Sequence, residues 1–515
     1  MASGPSFGMP ASSTCTGFRS RREGSMALRD RLRPYGPATA SVVLIALAFP
    51  PLNLGLLVFV ALVPWLLSLR ELDSKQAIKS GYVFGLLFWL HQMQFVQPLV
   101  AKWTANVLLS LIPWFSACLL GAMYFAFLGF VLHRCLKSKR EWLIPVAWAG
   151  LEVVRSFVPI LAFPWGLIST PLYRYPPLIQ LANYGTQYLV SAWVVAASVG
   201  VVLLFSGTGW NQLRYHALVF LGLLGLSIAR YTAPEVGEPV TVTIGQPGVD
   251  AAFSDPEEEA RKVGVAVAEL SESALAQRAR LLILPEGMAM GGTEFPPDVP
   301  FELTPGLPVL FGGSRGPQPS YQSAFAFDGE WKYADKRRLV VFGEYVPLRG
   351  TLPFLDAFEL PTGDLRPSKR TSAIQVAGMT VGPMLCFEGL FYDVAADQAK
   401  NGAQLLAVMS IDDWYVGTGA PEQLMSASVW RAVETGLPVA RSASLGHSIA
   451  VDARGNIVAR APFGVTYPLR ANLILPKQAE RFPGIEVVPI ALAIFLLGAA
   501  TMPLPRTKAG SPDRV

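Results

Sequence analysis

The chain has 515 residues, 52% of them apolar and only 15% charged, with a mean hydropathy of +0.39. Those values exclude a soluble enzyme standing alone and fit a membrane protein with a soluble domain attached. The net charge of +5 sits in short basic clusters between apolar runs, without aromatic interleaving, which excludes a nucleic-acid groove.

Residues 1–36 form a polar, basic leader, expected to be cytoplasmic, with Arg19, Arg21, Arg22, Arg29, Arg31 and Arg33. The leader lacks the short apolar core and small-residue cleavage site of a secretory signal. A retained anchor is therefore expected, with Met26 as an alternative start. Apolar stretches follow near 37–51, 53–69, 81–99, 106–133, 142–162, 177–205 and 214–231, and one more near 487–504. They predict about eight spans: about seven helices in a membrane domain at 37–232, and a last transmembrane helix at 487–505. Pro50-Pro51-Leu52-Asn53 makes the first two a tight hairpin.

Lysine and arginine gather in alternate loops: Arg70, Lys75 and Lys79; Arg134, Lys137, Lys139 and Arg140; Arg214; then Arg506, Lys508 and Arg514 in the tail, 506–515. The remaining loops hold only Lys102 and Arg174, with Arg155 near a span end. The positive-inside rule then places both termini in the cytoplasm and the long soluble segment on the far side. Glu152 and Arg155 are the notable ionisable pair within the spans, and a local ion pair is expected there.

From Val240 the texture changes to short strands alternating with helices. Strands are predicted over 241–246, 281–284, 309–312, 323–327, 381–385, 405–410 and 439–442, with a hairpin turn at Asp452-Ala453-Arg454-Gly455-Asn456. Ser254-Asp255-Pro256-Glu257 reads as a helix cap, and a second helix runs from about Pro421 to Thr435 and stops at Gly436. Residues 233–486 are thus an α/β layered domain.

Of the four cysteines, Cys15 lies in the leader and Cys118 and Cys135 in or beside apolar helices; only Cys386 belongs to the soluble segment. Their spacing fits neither a zinc site nor a disulfide framework, and His91, His133, His216 and His447 are equally scattered. Cys386 closes an apolar strand in Pro383-Met384-Leu385-Cys386-Phe387-Glu388-Gly389. Upstream lie Glu286, in Ile283-Leu284-Pro285-Glu286-Gly287, and Lys336, in Tyr333-Ala334-Asp335-Lys336-Arg337. Singly these read as a small core residue, a structural ion pair and part of a solvated basic turn, and Glu344 as a turn-capping acid. Together, each sits where an apolar strand meets a polar turn. Convergent strand ends would supply a nucleophile, a base and an oxyanion-stabilising cation.

These residues resemble the nitrilase superfamily, and with the apolar helices on both sides, its apolipoprotein N-acyltransferase family. The resemblance covers almost all of the chain beyond the leader. Its motifs include Leu47-Ala48-Phe49-Pro50-Pro51-Leu52-Asn53, Phe163-Pro164-Trp165-Gly166, Phe342-Gly343-Glu344-Tyr345-Val346-Pro347, Asp412-Asp413-Trp414 and Arg431-Ala432-Val433-Glu434-Thr435-Gly436. It implies a polytopic helical membrane bundle of about eight spans carrying a nitrilase-like αββα sandwich ectodomain. It also implies Glu286 as general base, Lys336 as oxyanion stabiliser, Cys386 as nucleophile, and Glu344 and Glu388 as supporting acids.

The implied reaction moves an acyl chain from a phospholipid to Cys386 as a thioester. The chain then passes to the α-amino group of a diacylglyceryl-cysteine at an apolipoprotein N-terminus. Neither cofactor nor metal is implied. The partners are the phospholipid, the apolipoprotein and the bilayer; nucleic acid is not among them, and a monomer is expected. The implied location is the bacterial inner membrane, with the catalytic domain periplasmic.

Trp414 and Phe387 are candidate substrate contacts, as are Phe354 and Leu355 in an apolar loop at 348–365, read either as a buried connection or as a lipid-facing lid. The chain departs from the family pattern at Leu284, Val341, Ile411 and Ser444. Alternative readings are a membrane-tethered nitrilase-like amidase, a different N-acyltransferase, or an inactive scaffold; a transporter has little support from the few ionisable residues in the spans.

Overall fold

The computed structural model describes residues 35–501 except 160, 251–254, 290–294, 352, 354–355, 357–359 and 361–362. Phe354 and Leu355, and with them the lid expectation, lie outside the described residues, as do the leader and the tail.

The helical part opens with α1 (Gly36–Ala48), which has a proline in its first turn and stops ahead of Pro50. After a 3₁₀ turn come α2 (Val63–Leu69) and α3 (Ser74–Gln92), the latter started by a reciprocal capping box between Asp73 and Gln76. Next are α4 (Val96–Thr104), α5 (Val107–Lys137) and α6 (Leu143–Phe157). The stretch expected as one span at 81–99 is therefore two helices: α3 ends at Gln92, and α4 buries none of its residues. Helix α3 lies directly on α5, because a Cβ at Gly81 would fall 2.2 Å from the Phe125 carbonyl oxygen. Backbones approach this closely only where side chains are absent.

Helix α7 (Ala182–Phe205) breaks its backbone geometry at Gly185 and Thr186, and α8 (Trp210–Tyr231) leads out of the bundle. The final helix, α12 (Val487–Thr501), returns to lie against α6, with Gly150 facing the Leu492 carbonyl. By length and composition, α5, α7 and α8 are able to cross a membrane; Gly36–Ala48, Gly55–Leu69 and Val487–Thr501 are apolar but shorter. Against an expected count of about eight, three helices among the described residues are long and apolar enough to cross a membrane.

The soluble part contains β1 (Glu238–Gln246), α9 (Pro256–Ala276), β2 (Leu282–Ile283), β3 (Val309–Arg315), β4 (Tyr321–Phe327), β5 (Trp331–Asp335), β6 (Ile374–Val376) and β7 (Met379–Leu385). It continues with α10 (Tyr392–Lys400), β8 (Leu405–Ser410), α11 (Ala420–Thr435), β9 (Val439–Ala443), β10 (Ile449–Val451), β11 (Ile457–Arg460) and β12 (Tyr467–Leu475). The strands form two six-stranded sheets, in the orders β12-β1-β2-β3-β4-β5 and β11-β10-β9-β8-β7-β6. Both have parallel centres (β1, β2 and β3; β7, β8 and β9) and antiparallel edges.

Val242, Ile244, Ile283 and Leu310 from one sheet pack against Val381, Leu405, Ala407 and Ala440 from the other, making the central core. Helix α9 covers the outer face of the first sheet through Val263, Val267 and Leu270. On the outer face of the second, α10 and α11 share one continuous core with the membrane helices. The domain is therefore a four-layer αββα sandwich whose last layer is pressed onto the bundle. That position explains why α11 is buried nearly all round.

Inside this junction Arg431 pairs with Glu434 at 2.8 Å, both side chains at most 4% exposed. Arg431 also donates to the Leu390 carbonyl, and Glu434 accepts the Gln187 N–H just after the break in α7. Arg431→Ala strands Glu434 as an unpaired buried charge, so it is expected to destabilise the protein by about 3–5 kcal/mol. Thermal unfolding in detergent checks this: the midpoint should fall, and Arg431→Met with Glu434→Leu together should recover most of the loss.

Candidate active site

Three strand ends meet at one edge of the sandwich. Two residues beyond β2, the chain turns through Pro285-Glu286-Gly287, where Gly312 of β3 lets the turn approach: a Cβ there would lie 2.9 Å from the Glu286 Cα. Pro285 accepts the Gly312 N–H and Gly312 accepts that of Met288. Lys336 directly follows β5, fixed by its N–H on the Gln322 carbonyl and by its own carbonyl accepting Ser368 N–H. Cys386 directly follows β7 and opens a 3₁₀ turn (Cys386–Leu390) at φ 47°. A left-handed backbone at a non-glycine residue costs roughly 1–2 kcal/mol and belongs where the surrounding structure over-determines it.

The side chains converge. Lys336 Nζ donates to Glu344 Oε1 at 2.6 Å and to Glu286 Oε1 at 3.5 Å. Lys336 and Glu286 are buried, at 1% and 3% exposure, while Cys386 stays partly open. The other Glu344 oxygen accepts the Val340 N–H, so Glu344 ties the ammonium to its own loop. Glu388 spans two of the turns: one oxygen accepts Leu385 N–H, and the other those of Arg337 and Arg338. Arg337 and Arg338 are themselves anchored, on Asp393 and Asp397 of α10. The basic turn beside Lys336 is therefore a brace rather than a solvated surface.

Burial, above all, raises Glu286 to about 7; Glu344 adds to the rise and Lys336 opposes it. Lys336 is also buried, but the carboxylates of Glu286 and Glu344 outweigh that and hold its ammonium firmly charged. Burial, then Glu286, pushes the Cys386 thiol up to about 12, with Lys336 and Ser410 pulling the other way. The lysine does favour the thiolate, as the sequence suggests, but its effect is overridden at rest. The resting pair is a neutral thiol beside a carboxyl poised near neutrality, an arrangement in which Glu286 is able to accept the thiol proton.

Glu286 must be ionised to accept a proton, so alkylation of Cys386 by iodoacetamide should rise with pH through a midpoint near 7. Glu344→Gln removes a like charge, so its midpoint should lie lower. A pH series read by mass spectrometry checks both.

Ser410, Tyr415, Arg441 and Phe95 escape motif reading, and they meet residues that the motifs do mark. Ser410, at the end of β8, hydrogen-bonds Cys386 and donates to Asp412, which also pairs with Arg441. Tyr415, next to Trp414, lies within electrostatic reach of the thiol and stacks edge-on with Phe95 of the helical domain at 5.4 Å. Phe387 stacks with Phe163 at 5.8 Å and 21°, and Phe163 stacks with Trp165. Trp414 itself is half-buried in the 3₁₀ turn Asp413–Tyr415.

The departures from the family pattern also find places. Ile411 lies over Gly287, adding apolar cover to the Glu286 turn, and the Ser444 hydroxyl and Leu445 N–H hold Asp413. Among the described residues no cluster of three histidine, cysteine or acidic side chains is arranged to hold a metal ion.

Residues 41–200 match the apolipoprotein N-acyltransferase N-terminal domain, and residues 309–466 the carbon-nitrogen hydrolase family. The chain is 28% identical over 464 residues to the apolipoprotein N-acyltransferase of Geobacter metallireducens, covering 84% of this chain and 87% of that one. It is 28% identical over 528 residues to that of Ralstonia nicotianae, covering 91% and 92%. Among solved structures, an amidase from Nesterenkonia sp. aligns at 18% identity and a TM-score of 0.33, covering 47% of this chain and 92% of that one.

Proposed function

The chain belongs to the apolipoprotein N-acyltransferases of the nitrilase superfamily, and from that premise we propose how its residues carry out lipoprotein N-acylation. The observation that carries the reading is a thiol, a carboxyl raised to about 7 and a buried ammonium meeting where the catalytic sandwich presses on the helical bundle.

Glu286 takes the Cys386 proton as sulfur attacks the ester carbonyl of a phospholipid. Lys336 faces the oxyanion that develops, an arrangement prepared in advance by Glu344. Collapse breaks the ester bond, Glu286 returns the proton to the departing alkoxide, and a lysophospholipid leaves a thioester on Cys386. The α-amine of the diacylglyceryl-cysteine then attacks the thioester carbon and gives up its proton through Glu286. The amide forms as the Cys386 thiol is regenerated. Glu388 keeps the Lys336 and Cys386 turns in register. Phe387 and Trp414 contact substrate, as do Phe354 and Leu355 in the 348–365 loop. No metal or cofactor enters any step.

The protein is a membrane protein; the finer placement belongs to the same proposal. About eight spans cross the bacterial inner membrane, the shorter apolar helices among them, with 37–232 and 487–505 as the membrane part. Both termini are cytoplasmic, as the lysine and arginine bias supports, and the catalytic domain, 233–486, is periplasmic. The enzyme works as a monomer.

The test is direct. Purified enzyme incubated with phosphatidylethanolamine alone should carry an acyl group on the Cys386 peptide, detected by mass spectrometry and removed by hydroxylamine. Addition of a diacylglyceryl-cysteine peptide should transfer it to the peptide amine. Folded protein that forms no adduct across several phospholipids would sink the phospholipid-donor reading.

A further inference from the structure

Glu152 and Arg155 stand one turn apart on α6, at 3% and 2% exposure, and the sequence suggests only a local ion pair. Their hydrogen bonds go elsewhere. Arg155 donates to the carbonyls of Phe163, Trp165 and Gly166, and its own carbonyl accepts the Phe163 N–H. Glu152 accepts the Ile168 N–H at 2.8 Å and the Trp148 indole N–H at 3.0 Å. The two side chains grip opposite ends of one loop. A guanidinium holding several carbonyls at once fixes a backbone path that no apolar contact would specify.

That path matters because of where the loop leads. It places Phe163, itself partly exposed, flat against Phe387, the residue after Cys386. It also sets Trp165 against Phe95, whose ring meets Tyr415. Phe387 is itself 5% exposed, so Phe163 is the open face of this stack, and the surroundings of the Cys386 turn are built half from the catalytic domain and half from a loop fastened to α6.

We propose that Arg155 and Glu152 are positioning residues for acyl transfer: they hold the 163–168 loop so that Phe163 and Phe387 form one surface that aligns the donor's long acyl chain at Cys386. This rests on the phospholipid-donor reading above. Residues acting through that surface should matter for a long-chain donor and not for a donor without a chain to align.

The experiment compares two acyl donors on the full-length enzyme in detergent: dipalmitoyl phosphatidylethanolamine and p-nitrophenyl acetate. Arg155→Lys should slow Cys386 palmitoylation at least tenfold while changing acetylation less than twofold. Arg155→Lys added to Phe163→Ala should slow palmitoylation no further than Phe163→Ala alone, because both act through the same ring. If Arg155→Lys yields little folded protein, it is replaced by Glu152→Leu, which frees the Ile168 end of the loop together with the Trp148 indole and leaves the Arg155 side chain in place.

Equal losses on both donors, or effects of Arg155 and Phe163 that multiply, would reduce the pair to a brace for the fold and overturn the proposal. Wild-type enzyme acetylated by p-nitrophenyl acetate but never palmitoylated would instead point to failure of the phospholipid-donor reading.

Discussion

Cys386→Ala is expected to lower phospholipid-to-peptide acyl transfer by about 10⁴-fold or more, the scale on which removal of a covalent nucleophile acts. Both half-reactions pass through the thioester, so lysophospholipid release and amide formation should disappear together. Folding should survive. The thiol is partly exposed, and the turn around it is held by Glu388 and by the strand pairing of β7 with β8. The variant should therefore unfold within a few degrees of the wild type. Product assays for lysophospholipid and for acylated peptide check this separately. Retention of either at more than a trace would mean that the amine attacks the phospholipid directly and that Cys386 is not the carrier.

Lys336→Met is expected to lower acylation by about 10²- to 10³-fold, the range for loss of one oxyanion-stabilising group. It should also do what Cys386→Ala does not, which is destabilise the protein. Lys336 has 0% side-chain exposure and lies between Glu286 and Glu344, exposed by 4% and 12%. Methionine leaves a buried carboxylate and a partly buried one side by side without a counter-ion, at a cost of about 3–5 kcal/mol when both are charged.

The pH sign distinguishes this from simple cavity formation. The folded state already favours the protonated form of Glu286, and loss of the lysine strengthens that preference. The variant then binds a proton on folding that the unfolded chain does not hold above the usual carboxylate range. Its deficit should be largest above pH 8 and shrink as pH falls through 7. Unfolding midpoints at pH 6.0 and 8.5 measure it. Glu344→Gln in the Lys336→Met background should recover stability without recovering rate, whereas a deficit independent of pH would remove the electrostatic account.

Much of the architecture is legible along the chain. Strands with uninterrupted apolar runs, such as β8 and β9, announce themselves, because burial on both faces selects apolar residues in sequence. The cap at Asp255 is equally local, its carboxylate accepting the Glu257 and Glu258 N–H groups. Strand β12 is harder to see: Pro468, Arg470 and Asn472 break up its apolar run, and antiparallel pairing along β1 defines it. The two helices within 81–99 escape notice because a hydropathy window registers apolar content and not the turn at Met93.

At the site the sequence by itself singled out the side chains expected to carry chemistry, and their order: Glu286, Lys336 and Cys386, each where an apolar strand ends. Residue type and local pattern are properties of the chain, so they need no fold to be read. Only the tertiary structure decided that Lys336 lies between Glu286 and Glu344, 50 residues before it and 8 after. The same holds for Arg155 reaching forward to the loop that packs on the Cys386 turn, and for burial raising the thiol and the carboxyl together. Desolvation and charge–charge interaction depend on distances through space, and the fold sets those distances by bringing remote segments into contact.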